Sequence, residues 1–175
     1  NTVNYTGAAQ IVNPKTYNNL TLSGSDVKTI GTGTATVNGN LTLTSFNLNT
    51  SPANLLWVTN TDPAAIVGVS ASSFINGPVK WSIAPGTYVF PVGKGTANYF
   101  PFTLAATTAS AEVTVEAFSG DVGAAATFDP ALTSISHTEY WKASLDAGSF
   151  TGKVSLTRIA VLTSEDLIAQ SAAAG

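Results

Sequence analysis

The pentapeptide NNLTL at Asn18–Leu22 returns as GNLTL at Gly39–Leu43, 21 residues further on. A short unit cannot bury its apolar side alone and must lay it against a copy of itself. Self-similarity at this period therefore points to stacked coils. Within each copy, leucine alternates with threonine. Successive side chains of a strand point to opposite faces, so Leu20, Leu22, Leu41 and Leu43 are expected to face inward. Gly24, Gly31, Gly33 and Gly39 fall between such runs, where a corner needs left-handed backbone or close approach.

A third echo supports the same reading. INGPVKWSI (Ile75–Ile83) repeats the Asn-Gly step and the following alternation of VNGNLTLTS (Val37–Ser45), two rungs of about 19 residues away. NLLWVTN (Asn54–Asn60) is expected to be the rung between them. All thirteen asparagines lie at or before Asn98. Asparagine tolerates left-handed corners and can stack in ladders at equivalent positions, so their clustering places a structural change near residues 85–100. The alternative is an ordinary β-sandwich whose hairpins use Asn-Gly turns.

Beyond that point the cadence is that of an antiparallel sandwich. GTYVFPVGKG (Gly86–Gly95), YFPFTLAAT (Tyr99–Thr107), AEVTVEAFSG (Ala111–Gly120), HTEYWKASLD (His137–Asp146) and GKVSLTRIAV (Gly152–Val161) read as strands. The expected fold class is all-β, with β-solenoid-like coils over 1–85 followed by an antiparallel β-sandwich-like domain over 86–175. Five strands leave that sandwich one or two short, so the polypeptide is expected to continue beyond Gly175. Thr163–Gly175 reads as a helix start capped by Ser164, or as a loop. The open first coil should be covered by another rung or another subunit. A start at Asn1 without Met reads as a mature or excised piece.

Composition narrows the function classes. Only 10% of residues are charged and the formal net charge is −3, which leaves little repulsion to oppose association. The seven basic residues are scattered singly and make no footprint for nucleic acid. No apolar run is long enough for a membrane-spanning helix. With no cysteine, disulfides and thiolate metal sites are excluded; methionine is absent too, which suits an exposed extracellular life.

The chemistry-bearing residues are sparse. His137 is the sole histidine and could form a dyad with Glu139, but a polar surface position is the plainer reading. Glu112 and Glu116 share a strand face about 13 Å apart, too far for a glycosidase pair. Gly93-Lys94-Gly95 lacks the phosphate-loop context and reads as a turn. Asp62, Asp121 and Asp129 offer oxygens for calcium without the spacing of a known loop. No cofactor and no catalytic set is expected. Four rings could stack on a sugar: Trp57, Trp81, Trp141 and Tyr140. Core packing is the competing role for Trp57 and Trp81, which sit among apolar neighbours. The threonine runs LTLT and GTGTAT suggest an ice-binding array, but the pattern breaks after Ser45.

Taken together, AQIV, YNNLTLSG and VNGNLTL, then YVFPVGKG, YFPFTL and EYWKAS, resemble segments of very large secreted, adhesin-like repeat proteins of Bacteroidetes bacteria. The resemblance covers most of the chain. It implies β-helical coils followed by a β-sandwich-like module, export by the type IX secretion system, and a place at the cell surface. The matching segments, Asn18–Leu22, Gly39–Leu43, Phe90–Gly95 and Glu139–Lys142, are structural, and the resemblance brings no catalytic residue. The expected function is a structural or adhesive module able to self-assemble, whose partners are the rest of a parent chain, neighbouring subunits or surface glycans. The runner-up is a carbohydrate-binding module of an extracellular enzyme.

Overall fold

The computed structural model describes residues 1–44, 46–106, 108–121 and 136–158. Its first half is a three-sided coil of four rungs. The first rung contains β1 (Thr2–Tyr5), β2 (Gln10–Val12) and β3 (Thr16–Tyr17). The second contains β4 (Asn19–Leu22), β5 (Lys28–Ile30) and β6 (Gly33–Val37). The third contains β7 (Leu41–Leu43), β8 (Leu48–Asn49) and β9 (Asn54–Val58), and the fourth β10 (Ile66–Val67), β11 (Ile75–Asn76) and β12 (Val79–Ile83). Equivalent strands stack in parallel to make three sheets.

The repeated pentapeptide sets the register. Leu20 lies against Leu41 and Leu22 against Leu43, with Thr21 beside Thr42 on the outer face. All four leucines are buried, each contributing about 1.5–3 kcal/mol of transfer free energy. The period then loosens: Leu41 meets Ile66 and Leu48 meets Ile75. The extra residues sit in the corners, where length costs little. Gly24 shows why a corner needs glycine. Its φ is +97°, and a Cβ there would lie 2.2 Å from the carbonyl oxygen of Gly7 in the rung below.

The Asn-Gly echo is a repeated turn on two different corners. Asn38–Gly39 leads into β7 of the first sheet, whereas Asn76–Gly77 leads into β12 of the third. Asn54–Asn60 is accordingly one side of the third rung, β9, and not a rung of its own. Asparagine contacts between rungs form one run of three, Asn19, Asn40 and Asn60, in which Asn60 Nδ2 donates to Asn40 Oδ1 at 3.5 Å, and one pair. Asn76 Nδ2 donates to Asn49 Oδ1 at 2.9 Å, and Asn19 Oδ1 accepts from the Asn40 amide at 2.8 Å.

The second half grows out of these sheets. After β13 (Gly86–Phe90), strand β14 (Val92–Lys94) stacks in parallel on β11, with Val92 against Ile75. The short β15 (Asn98–Tyr99) folds back on β14. β16 (Phe102–Ala106) returns antiparallel to β13, and β17 (Ala111–Ser119) runs antiparallel along β12. β18 (Glu139–Gly148) then pairs with β17, and β19 (Gly152–Leu156) with β16. The third sheet therefore reads β3, β6, β9, β12, β17, β18, and the fourth β13, β16, β19. These two sheets face each other, as in a sandwich. On β17 the alternation is the expected one, with Val113, Val115 and Ala117 buried and Glu112, Thr114 and Glu116 outward. One contiguous apolar core runs from Leu20 and Leu41 through Trp81 to Phe102 and Val115.

At the first rung the interior is closed by two tyrosines. The Tyr5 and Tyr17 hydroxyls lie 3.0 Å apart, and Tyr17 donates to the Asn13 carbonyl at 2.7 Å. Among the described residues β1, β2 and β3 each pair on one side only. The tail Thr163–Gly175, with Ser164, lies outside the described residues.

Candidate functional site

Among the described residues, a large group of interacting polar and aromatic side chains lies on the outer face of the third sheet. It exists because β9, β12, β17 and β18 are neighbours and alternate side chains point out. Trp57 of β9 stands next to Lys80 of β12 in register, and Lys80 next to Thr114 of β17. The Lys80 ammonium sits 4.5 Å from the Trp57 ring centroid, 2.7 Å from Glu112 and 3.8 Å from Asp146. Thr114 donates to Asp146 Oδ2 at 2.6 Å and Ser144 to Oδ1 at 2.7 Å. Trp57 Nε1 donates to the Ser82 hydroxyl at 3.1 Å. One cation is thus bracketed by an aromatic face and two carboxylates.

A second cluster occupies the far end of the same face. Phe118 and Tyr140 stack with centroids 4.6 Å apart and planes 5° from parallel. Lys94 lies 4.9 Å from the Phe118 ring and 3.1 Å from Glu116, and Lys142 lies 5.5 Å from the ring. Gly93 and Lys94 are not the expected turn but the end of β14, paired with Tyr99 and Asn98, and the chain turns only from Gly95, with φ +70°. The Lys94 ammonium therefore serves an ion pair on the sheet.

The four candidate stacking rings are scattered. Trp57 and Tyr140 are on the outer face, half-buried, but two strands, β12 and β17, lie between them, which sets them about 14 Å apart across the sheet and about 13 Å along it. Trp81 is 1% exposed, packed edge-on against Tyr88 and Phe90, and its Nε1 donates to the Asn60 carbonyl at 2.8 Å. No face of that ring is open to a ligand. Trp141 points to the inner side, donating to the Phe100 carbonyl at 2.8 Å.

His137 Nδ1 lies 2.7 Å from Asp121, not against Glu139. Glu139 is buried and accepts from Arg158 Nε at 2.7 Å, from Ser136 at 3.4 Å and from Thr138. Burial alone would raise its carboxyl. The hydrogen bonds from Thr138 and Arg158, the Arg158 charge and the Ser136 bond together outweigh burial and hold it below the ordinary value. Glu112 and Glu116 are each tied to a separate lysine, Lys80 and Lys94. Asp62 accepts from the Ala64 amide in a turn at 2.8 Å, and Asp129 lies outside the described residues. Among the described residues, no three His, Cys, Asp or Glu side chains gather to hold a metal ion.

The buried Lys28 was not singled out from the sequence. Only 2% exposed, it points into the coil and donates to the carbonyls of Gly7, Ala8 and Asp26 at 3.0, 2.9 and 2.7 Å. Burial lowers its pKa, with the Asp26 charge offsetting part of that effect. Its place two residues before the inward Ile30 was the available signal. The Lys80, Glu112 and Asp146 group was also missed, because it joins three strands distant in sequence. In comparisons with known proteins, no family model, no curated protein and no solved structure matches the chain.

Proposed function

We propose that the chain is a structural or adhesive module of a bacterial cell-surface protein, exported by the type IX system and able to assemble with neighbours. The observation that carries this reading is the continuity of the sheets. Parallel rungs pass directly into antiparallel strands over one core, which yields a stiff body with broad faces rich in uncharged threonine and asparagine. Such a body suits a spacer that presents other domains or packs side to side. Immunolabelling of intact source cells tests it. Surface label before permeabilisation supports the reading, and label that appears only after permeabilisation overturns it.

A carbohydrate-binding module is the second reading. Trp57 favours it, standing on an open sheet face beside the hydroxyls and charges of Ser82, Lys80 and Glu112. A polysaccharide that retards the wild type in affinity electrophoresis, but not a Trp57→Ala variant, would support that role. Equal mobility across a panel of polysaccharides would remove it.

A further inference from the structure

Among the described residues β18 is the longest strand, at 10 residues, and β17 pairs with one of its edges. Among the described residues no strand lies against the other edge, and Lys142 through Gly148 are exposed. Long open edges invite pairing, and proteins usually blunt them with proline, inward charge or bulges. Here there is no proline, the inward charge is Glu139 at the strand's first residue, outside the exposed run, and the one bulge leaves Asp146 without a register partner on β17, between Leu145 and Ala147. On the inner side, Leu145 is 53% exposed. It borders an apolar groove of about 210 Å³ shared with Phe102, Leu104, Phe150 and Val154.

We propose that this edge pairs with the same edge of a second copy, antiparallel, about a two-fold axis at Ser144. The residues of β18 are self-complementary in that register. Lys142 of each copy faces Asp146 of the other, and both project on the outer side. Ala143 faces Leu145 of the other copy on the inner side, where each covers exposed apolar surface. Opposite charges directly across a strand pair stabilise it, and like charges destabilise it. The charges therefore select the register. An axis at Lys142 sets lysine against lysine, an axis at Asp146 sets aspartate against aspartate, and an axis at Ala143 leaves both charges facing neutral side chains. Such a two-fold contact is isologous and closes on itself. The third sheet would run unbroken through both molecules, joining two rigid coils side by side.

This deepens the assembly part of the function proposed above, and the two can fail separately. A dimer in a protein found only inside cells would sink the surface reading alone. A contact of one strand edge falls in the small interface class, so a weak, reversible dimer is expected. Sedimentation equilibrium over a wide concentration range should show monomer and dimer for the wild type. Lys142→Asp and Asp146→Lys should each weaken the dimer by about tenfold, and the double exchange should restore it. Because Asp146 also holds Thr114 and Lys80 on its own chain, a second readout avoids that residue. The chain has no cysteine, so Ser144→Cys carries a unique thiol. Under copper–phenanthroline oxidation it should form a covalent dimer far faster than Thr34→Cys on the exposed interior of the same sheet. A wild type that stays monomeric to millimolar concentration, or a Ser144→Cys variant that cross-links no faster than the control, would overturn the proposal.

Discussion

Glu139 is the residue on which the second half's first long hairpin is pinned. It sits at the start of β18 with no side-chain exposure, and its carboxylate is held by the Arg158 guanidinium, which follows β19. One ion pair therefore ties the third sheet to the fourth. Because its carboxyl is held below the ordinary value of 4.5, the folded state keeps it charged while the unfolded chain takes up a proton. That stabilisation is fully present above the unfolded value and is lost as pH falls through the folded one. A Glu139→Gln variant should lose about 1–3 kcal/mol at neutral pH, and the gap to wild type should shrink in acid. Urea titrations at several pH values check both statements. A constant gap down to pH values well below the carboxylate range would show that the charge is not what matters. Nothing in EYWKAS announced this role, because Arg158 is reached only through the folded topology.

Corner glycines divide into two kinds. At Gly24 a side chain would strike the backbone of the previous rung, whereas around Gly95 nothing lies within 4 Å. Both have positive φ, so each pays the left-handed backbone cost of about 1–2 kcal/mol on replacement by alanine. Gly24→Ala adds the clash, and its melting temperature should fall well below that of Gly95→Ala. Equal losses would mean that the rungs are not in the contact described.

The same contrast explains what the sequence revealed. Alternation and a near-copied pentapeptide suffice to read β4 and β7, since inward leucines and register both follow from the pattern. Strands β16 and β17 were legible from their alternation as well. The corners were not, because an Asn-Gly step looks the same wherever the chain turns: Asn38–Gly39 and Asn76–Gly77 serve different sides of the coil. The Lys80, Glu112 and Asp146 group was hidden for the same reason. It depends on which strand lies beside which, and β17 joins β12 only after an excursion through the fourth sheet.

Across the described residues, the coil and the antiparallel strands share one core and form one body. Sheets two and three pass from rungs into later strands through Ile75 against Val92 and Trp81 against Val113. Trp81 packs on Tyr88 and Phe90 at the join. Cooperative unfolding follows from such a shared core. Leu41, buried between the second and fourth rungs, lies far in sequence from the antiparallel strands. Its replacement by alanine should cost about 2–5 kcal/mol. Scanning calorimetry of the wild type beside Leu41→Ala tests this continuity of the core. One transition is expected, with calorimetric and van't Hoff enthalpies that agree, shifted as a whole to lower temperature in the variant. Two transitions, with the variant moving only one of them, would contradict that continuity and separate the coil from the sheets that now continue it.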